Sequence, residues 1–217
     1  MQNNININKN NMNKNKSNKN NVNKNNFNKN NVNKNNLNKN NVNKNNLNKK
    51  EHSPLISKKT IELLQYRIQE EEMSARIYLS MSMWLENEGY VNATKLWKKY
   101  SSEENTHADW ARDYLLSFGV LPETPELKKV KNSYVSFPSI IKKSFEHEIE
   151  ITLQLKELAN HAINTNDHML YTLAEKYLQE QIEEHNKTQT LMDQLKSFGT
   201  NKLSMRLLNS EMRENIK

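Results

Sequence analysis

Glu104-Asn-Thr-His107 offers a carboxylate and an imidazole three residues apart. On a helix that spacing puts both groups on one face, where they can grip a single ion. Alone the pair is a weak signal, because helix-rich sequences carry Glu-x-x-His on solvated faces. Its weight depends on whether other oxygen ligands stand at the same level, and so on the elements that position it.

The chain of 217 residues has no Cys, three Gly and four Pro. It contains no run of eighteen apolar residues, so no transmembrane helix and no membrane partner are expected. No apolar h-region follows the N-terminus, so no secretory signal is expected. Without cysteine there is no disulfide framework, which fits a cytoplasmic protein.

Residues 1–53 differ in kind from the rest. From Asn8 to Leu47 the chain repeats every five residues, as in NKNNV, NKNNF and NKNNL. A period of five matches neither the helical 3.6 nor the strand 2, so the apolar residues line no single face. A pentapeptide-repeat β-helix wants a small residue two places before the apolar one, and Asn stands there. One apolar residue in five buries too little to offset chain entropy, and disorder is the preferred expectation. Residues 1–50 hold eleven Lys and no acid, leaving 21 basic residues to face 25 acidic ones beyond them. The formal charge of +7 therefore belongs to this extension. A lysine-rich arm can hold nucleic acid through phosphates. With one Lys per five residues, a solvated extension is favoured over that role.

Residues 54–217 read as helix with few breaks. Segments are expected from Ser57 to about Glu88-Gly89, Val91 to Phe118-Gly119, Pro138 to Asn164 and Asp167 to Phe198-Gly199. A short fifth is expected over Lys202 to Glu214. Gly- or Asn-containing breaks mark most of the ends. Two connections are short, and residues 119–137, with Pro122 and Pro125, are long enough to run the length of a bundle. This pattern predicts an all-α four-helix bundle with one long crossover and a short fifth C-terminal helix.

Each segment carries a stripe at alternating steps of four and three, apolar towards its ends and polar midway. The interruptions are Glu71, then Glu104 with His107, then Glu148, then Gln181 with Glu184. Glu71 to Glu104 and Glu148 to Gln181 are both 33 residues, and Glu71 to Glu148 and Glu104 to Gln181 are both 77. At ~1.5 Å per residue, going up one helix and down the next returns each pair to one height. Buried carboxylates repel one another and lose hydration, so something positive must stand among them. No Lys or Arg lies on the stripes. A metal pair answers this economically, and oxygen-rich ligands with one imidazole suit iron. The alternative, that the carboxylates are separately satisfied or face water, needs the same coincidence on every helix.

On these residues the helical part resembles the non-haem bacterial-type ferritins. The likeness rests on Glu71 with Tyr78 seven residues on, Glu103-Glu104-Asn-Thr-His107, His147-Glu148, and Glu180-Gln181-Ile-Glu183-Glu184. It implies that Glu71 and His107 hold a first iron, that Glu104 bridges, and that Glu148 belongs to a second iron. Gln181 would sit beside the pair, and Tyr78 would hydrogen-bond a ligand and could supply an electron. Glu103, Glu180, Glu183 and Glu184 would line a third iron site, although an ordinary solvated acidic face describes them equally well. Haem is not expected, because Asn105 stands where haem-binding relatives carry Met. His185 is one place too late for the second Glu-x-x-His of bacterioferritins and rubrerythrins.

The resemblance implies an iron-storage ferroxidase. Fe(II) would be oxidised by dioxygen at a dinuclear site and stored as mineral in a hollow homo-oligomeric shell, of twenty-four subunits in this family. Two rivals stand beside it. One is a cage whose basic tails bind DNA, and the other is a di-iron oxidase that stores nothing.

Overall fold

The computed structural model describes residues 55–213. The expected disorder of residues 1–53 lies outside them, and the fifth helix ends at Glu211, short of the expected Glu214, with Met212 and Arg213 in a turn. Among the described residues the chain forms α1 (Lys58–Asn87), α2 (Val91–Ser117), α3 (Phe137–Asn164), α4 (His168–Phe198) and α5 (Lys202–Glu211). No helix among them is long and apolar enough to cross a membrane.

The helices start where short polar side chains can satisfy the first free N–H groups. The Ser57 hydroxyl accepts from Thr60 N at 3.0 Å, and Asp167 Oδ1 accepts from Leu170 N at 3.0 Å. Ser136 and Ser139 form a reciprocal capping box at α3, with Pro138 in its first turn. Tyr90, the residue before α2, supplies no side-chain cap. The cap comes instead from α5: Asn209 Oδ1 accepts from Asn92 N at 3.1 Å and from Ala93 N at 2.9 Å. Arg206 of α5 donates to the Gly89 and Glu88 carbonyls and lies 4.4 Å from the Tyr90 ring centroid. The turn it covers needs Gly89 at φ +75°, a conformation unfavourable for other residues.

α1 packs chiefly on α2 and α3 on α4, and α5 closes against α2 and α4. Residues 118–136 are not helical. They run along α1, touching Gln65 through Glu123 N (3.2 Å) and Ser80 through the Lys131 carbonyl. This is the expected crossover.

Apolar packing is concentrated at the two ends of the bundle. One cluster gathers Tyr78, Met81, Leu85, Trp97, Phe137, Leu195 and Leu208. The other gathers Leu64, Ile68, Ala111, Leu115, Leu155, Ala174 and Tyr177. Truncating a fully buried member such as Leu64 to Ala should cost about 2–5 kcal/mol. Between the clusters lies a buried polar belt, supplied by all four long helices.

Candidate metal centre

The belt is formed by Glu71, Glu104, His107, Glu148, Gln181 and Glu184, each at most 7% exposed. Glu71, Glu104 and His107 each bring one ligand atom within 4.8 Å of the others. The up-and-down path of α1 and α2 brings Glu71 level with Glu104, and one helical turn brings His107 beside Glu104. His107 Nδ1 is 3.0 Å from Glu104 Oε2. The Tyr177 hydroxyl donates to the His107 backbone carbonyl at 2.6 Å, tying α4 to this turn of α2.

Glu148 is placed from two sides. The Tyr78 hydroxyl donates to its Oε1 from α1, and Gln181 Nε2 donates to its Oε2 from α4 at 2.8 Å. Glu148 is not in the tight group of three, yet its charge reaches Glu104. Its neighbour His147 turns away, with Nε2 2.7 Å from the Ser74 hydroxyl.

The electrostatics follow from this crowding. Burial, and then the charges of Glu71 and Glu148, hold the Glu104 carboxyl well above the usual carboxylate range. Burial and crowding thus favour the protonated form of Glu104, whose proton a bound metal ion would displace. Burial, and then the Glu148 charge, push the Tyr78 hydroxyl well above its usual range, so it remains a neutral donor. Glu71 Oε2 is buried without a hydrogen-bonding partner. An unpartnered carboxylate oxygen on one of three converging ligand residues is an arrangement that a cation would complete.

Two basic residues correct the expectation that nothing positive pairs with these carboxylates. Arg67, itself buried, places Nε 2.9 Å from Glu71 Oε1. It lies one turn before Glu71, inside a buried face that is wider than the alternating stripe. The second is Lys187, one turn beyond Glu184. Its Nζ lies 2.7 Å from Glu184 Oε1, 3.5 Å from Glu103 Oε2 and 3.8 Å from Glu180 Oε1. Burial still outweighs the lysine's attraction, so the Glu184 carboxyl is pushed up to about 7. Glu183 is not brought into this group. It stands exposed, rotated by about 100° from Glu184 on the helix. Asn105 is also exposed, and its amide donates to the Ser101 carbonyl at 2.8 Å. Both basic residues carried a signal, Arg67 four residues before Glu71 and Lys187 three after Glu184, but neither lies on the stripe that marks the ligands.

Comparison with known proteins agrees with this architecture. The family profile described as Ferritin, a ferritin-like domain, matches residues 61–198. The chain is 29% identical over 145 residues to the bacterial non-heme ferritin of Campylobacter jejuni, a match covering 67% of this chain and 87% of that relative. It is 25% identical over 158 residues to the bacterial non-heme ferritin of Escherichia coli, covering 73% and 96%. Among solved structures, an open-pore ferritin of the archaeon Archaeoglobus fulgidus superposes with a TM-score of 0.70 at 25% identity, covering 73% of this chain and 97% of that one. The chain belongs to the ferritin family.

Proposed function

We propose that this protein stores iron and oxidises Fe(II) to Fe(III) at an intrasubunit dinuclear site. The observation that carries the reading is the convergence of Glu71, Glu104 and His107 within 4.8 Å, with Glu148 held by Tyr78 and Gln181. Glu71 and His107 bind one Fe(II), Glu148 binds the second, and Glu104 spans the two. Gln181 keeps the Glu148 carboxylate turned towards the site. Two Fe(II) ions each give up one electron, and one dioxygen accepts the pair and is reduced to the peroxide level with two protons. Carboxylates favour the more highly charged product, so the ligands assist oxidation while the redox chemistry belongs to the metal. Tyr78 holds Glu148 in place through its hydroxyl.

Storage requires a hollow homo-oligomer, which the reading takes from family membership. Leu79 and Met83 of α1 and Ile149 and Leu153 of α3 are exposed apolar side chains that a second copy could cover. The test is aerobic addition of excess Fe(II) to the full chain, followed by size-exclusion chromatography and iron counting in the protein peak. A large assembly carrying many iron atoms per chain is expected. A small species holding no more than a few irons per chain would exclude storage.

A further inference from the structure

The acidic group beside the proposed dinuclear site already has its cation. Glu103 of α2 and Glu180 and Glu184 of α4 all turn towards Lys187, whose Nζ stands 3.5, 3.8 and 2.7 Å from one oxygen of each. An ammonium is a compact point charge with three donors, suited to three converging acceptors. Its placement follows from the sequence, because residues 180, 184 and 187 fall on one face of α4 and Glu103 faces them from α2. Lys187 and Glu103 are about as exposed as each other, at 29% and 28%, while Glu184 is buried, so the group joins the edge of the belt to its mouth.

We propose that Lys187 stands in for a third metal ion, so that each chain holds two ions where this acidic group would otherwise hold a third. A metal ion bound by these oxygens at about 2.0–2.2 Å would have to share them with the lysine's positive charge. Both cannot occupy the group, and the tethered one is always present at full local concentration. The lysine also faces a pocket of about 330 Å³ lined by Lys99, Tyr100 and Asn186. The proposal rests on the dinuclear reading above for the first two ions, and assigns Lys187 as the residue that sets the count.

The test uses the full-length metal-free protein and Zn(II), which binds without redox chemistry, with bound zinc counted by equilibrium dialysis. The parental chain should bind two ions that depend on the buried ligands and none that depends on Glu103. Lys187→Gln should bind one further ion, and adding Glu103→Gln to that variant should remove it. Lys187→Arg should restore the parental count. Glu104→Ala separates this proposal from the dinuclear reading, because it should lose the buried ions in either background while the added ion follows Lys187. An unchanged count in folded Lys187→Gln would overturn the proposal. So would a third ion on the parental chain that Glu103→Gln abolishes, an outcome readable even if the lysine variants fail to fold.

Discussion

Arg67 Nε lies 2.9 Å from Glu71 Oε1, with both side chains almost completely buried. The guanidinium is fixed from α3 as well, donating through Nη1 to Gln154 Oε1 at 3.0 Å, while the Gln154 amide donates to Glu70 Oε2 at 3.0 Å. This ion pair neutralises Glu71 in the metal-free protein and leaves its Oε2 without a partner. A site made of carboxylates can thus exist before any iron arrives.

Removing the arginine should show this role. Breaking a buried pair from one side costs about 3–5 kcal/mol, because the remaining charge has no compensation. Arg67→Ala should destabilise the chelator-treated protein by that order in urea unfolding. Zn(II) should recover part of the loss, since a metal would then compensate Glu71. A loss below about 1 kcal/mol would mean that the pair carries little of Glu71's burial.

The metal-free protein should lose stability as the pH rises. The Glu184 carboxyl moves from its ordinary 4.5 up to about 7, mainly through burial. Lys187 opposes that shift, and Glu148 and Glu103 add to it. The folded chain therefore binds more protons than the unfolded chain between those values, and stability must fall as the pH rises through the window. Glu184's favourable contribution is present below its ordinary 4.5 and lost once the pH exceeds about 7. Glu104, shifted in the same direction by burial and the Glu71 and Glu148 charges, adds to the decline. Urea unfolding with chelator across this range should show the slope, and Glu184→Gln should flatten it. A slope unchanged in Glu184→Gln would assign the titration to another group.

The cap that α5 lends to α2 should matter for stability and not for iron. Asn209→Ala leaves the Asn92 and Ala93 N–H groups without their acceptor. Loss of such a cap costs about 0.5–2 kcal/mol. Thermal unfolding should shift accordingly, while the rate of Fe(II) oxidation stays at the parental value. A slowed oxidation would show that this end of the bundle is coupled to the polar belt.

How much could be read beforehand differs between helices for physical reasons. On α4 the buried residues are Leu170, Ala174, Tyr177, Gln181, Glu184, Thr188, Leu191 and Leu195, which keep the expected alternation of steps of four and three throughout. α1 is buried over a wider face, so Arg67, Ser74 and Met81 enter the core between the stripe positions. On α2 the stripe ends early: Leu115 is buried, while Tyr114 and Phe118 are half-buried. The equal spacings of 33 and 77 residues were legible because two antiparallel hairpins of similar length repeat them. The partners of the carboxylates were harder to read. Arg67 and Lys187 resemble ordinary helix-surface cations until the neighbouring helices close over them. Asn209 shows nothing of its capping role until α5 folds back.

The central claim is that Glu71, Glu104, His107 and Glu148 act as one oxidation site, and Glu104 tests it most directly because it stands between the two proposed ions. Replacing a ligand should cost more than the ~10–100-fold that follows loss of a residue supporting one. In stopped-flow measurements with Fe(II) and dioxygen, Glu104→Ala should lose the fast phase while slow oxidation persists. Its fold should survive, because taking a carboxyl out of a crowded core relieves repulsion. The exposed Glu126→Ala control should keep the parental rate. Fast oxidation at the parental rate in folded Glu104→Ala would contradict the placement of the site.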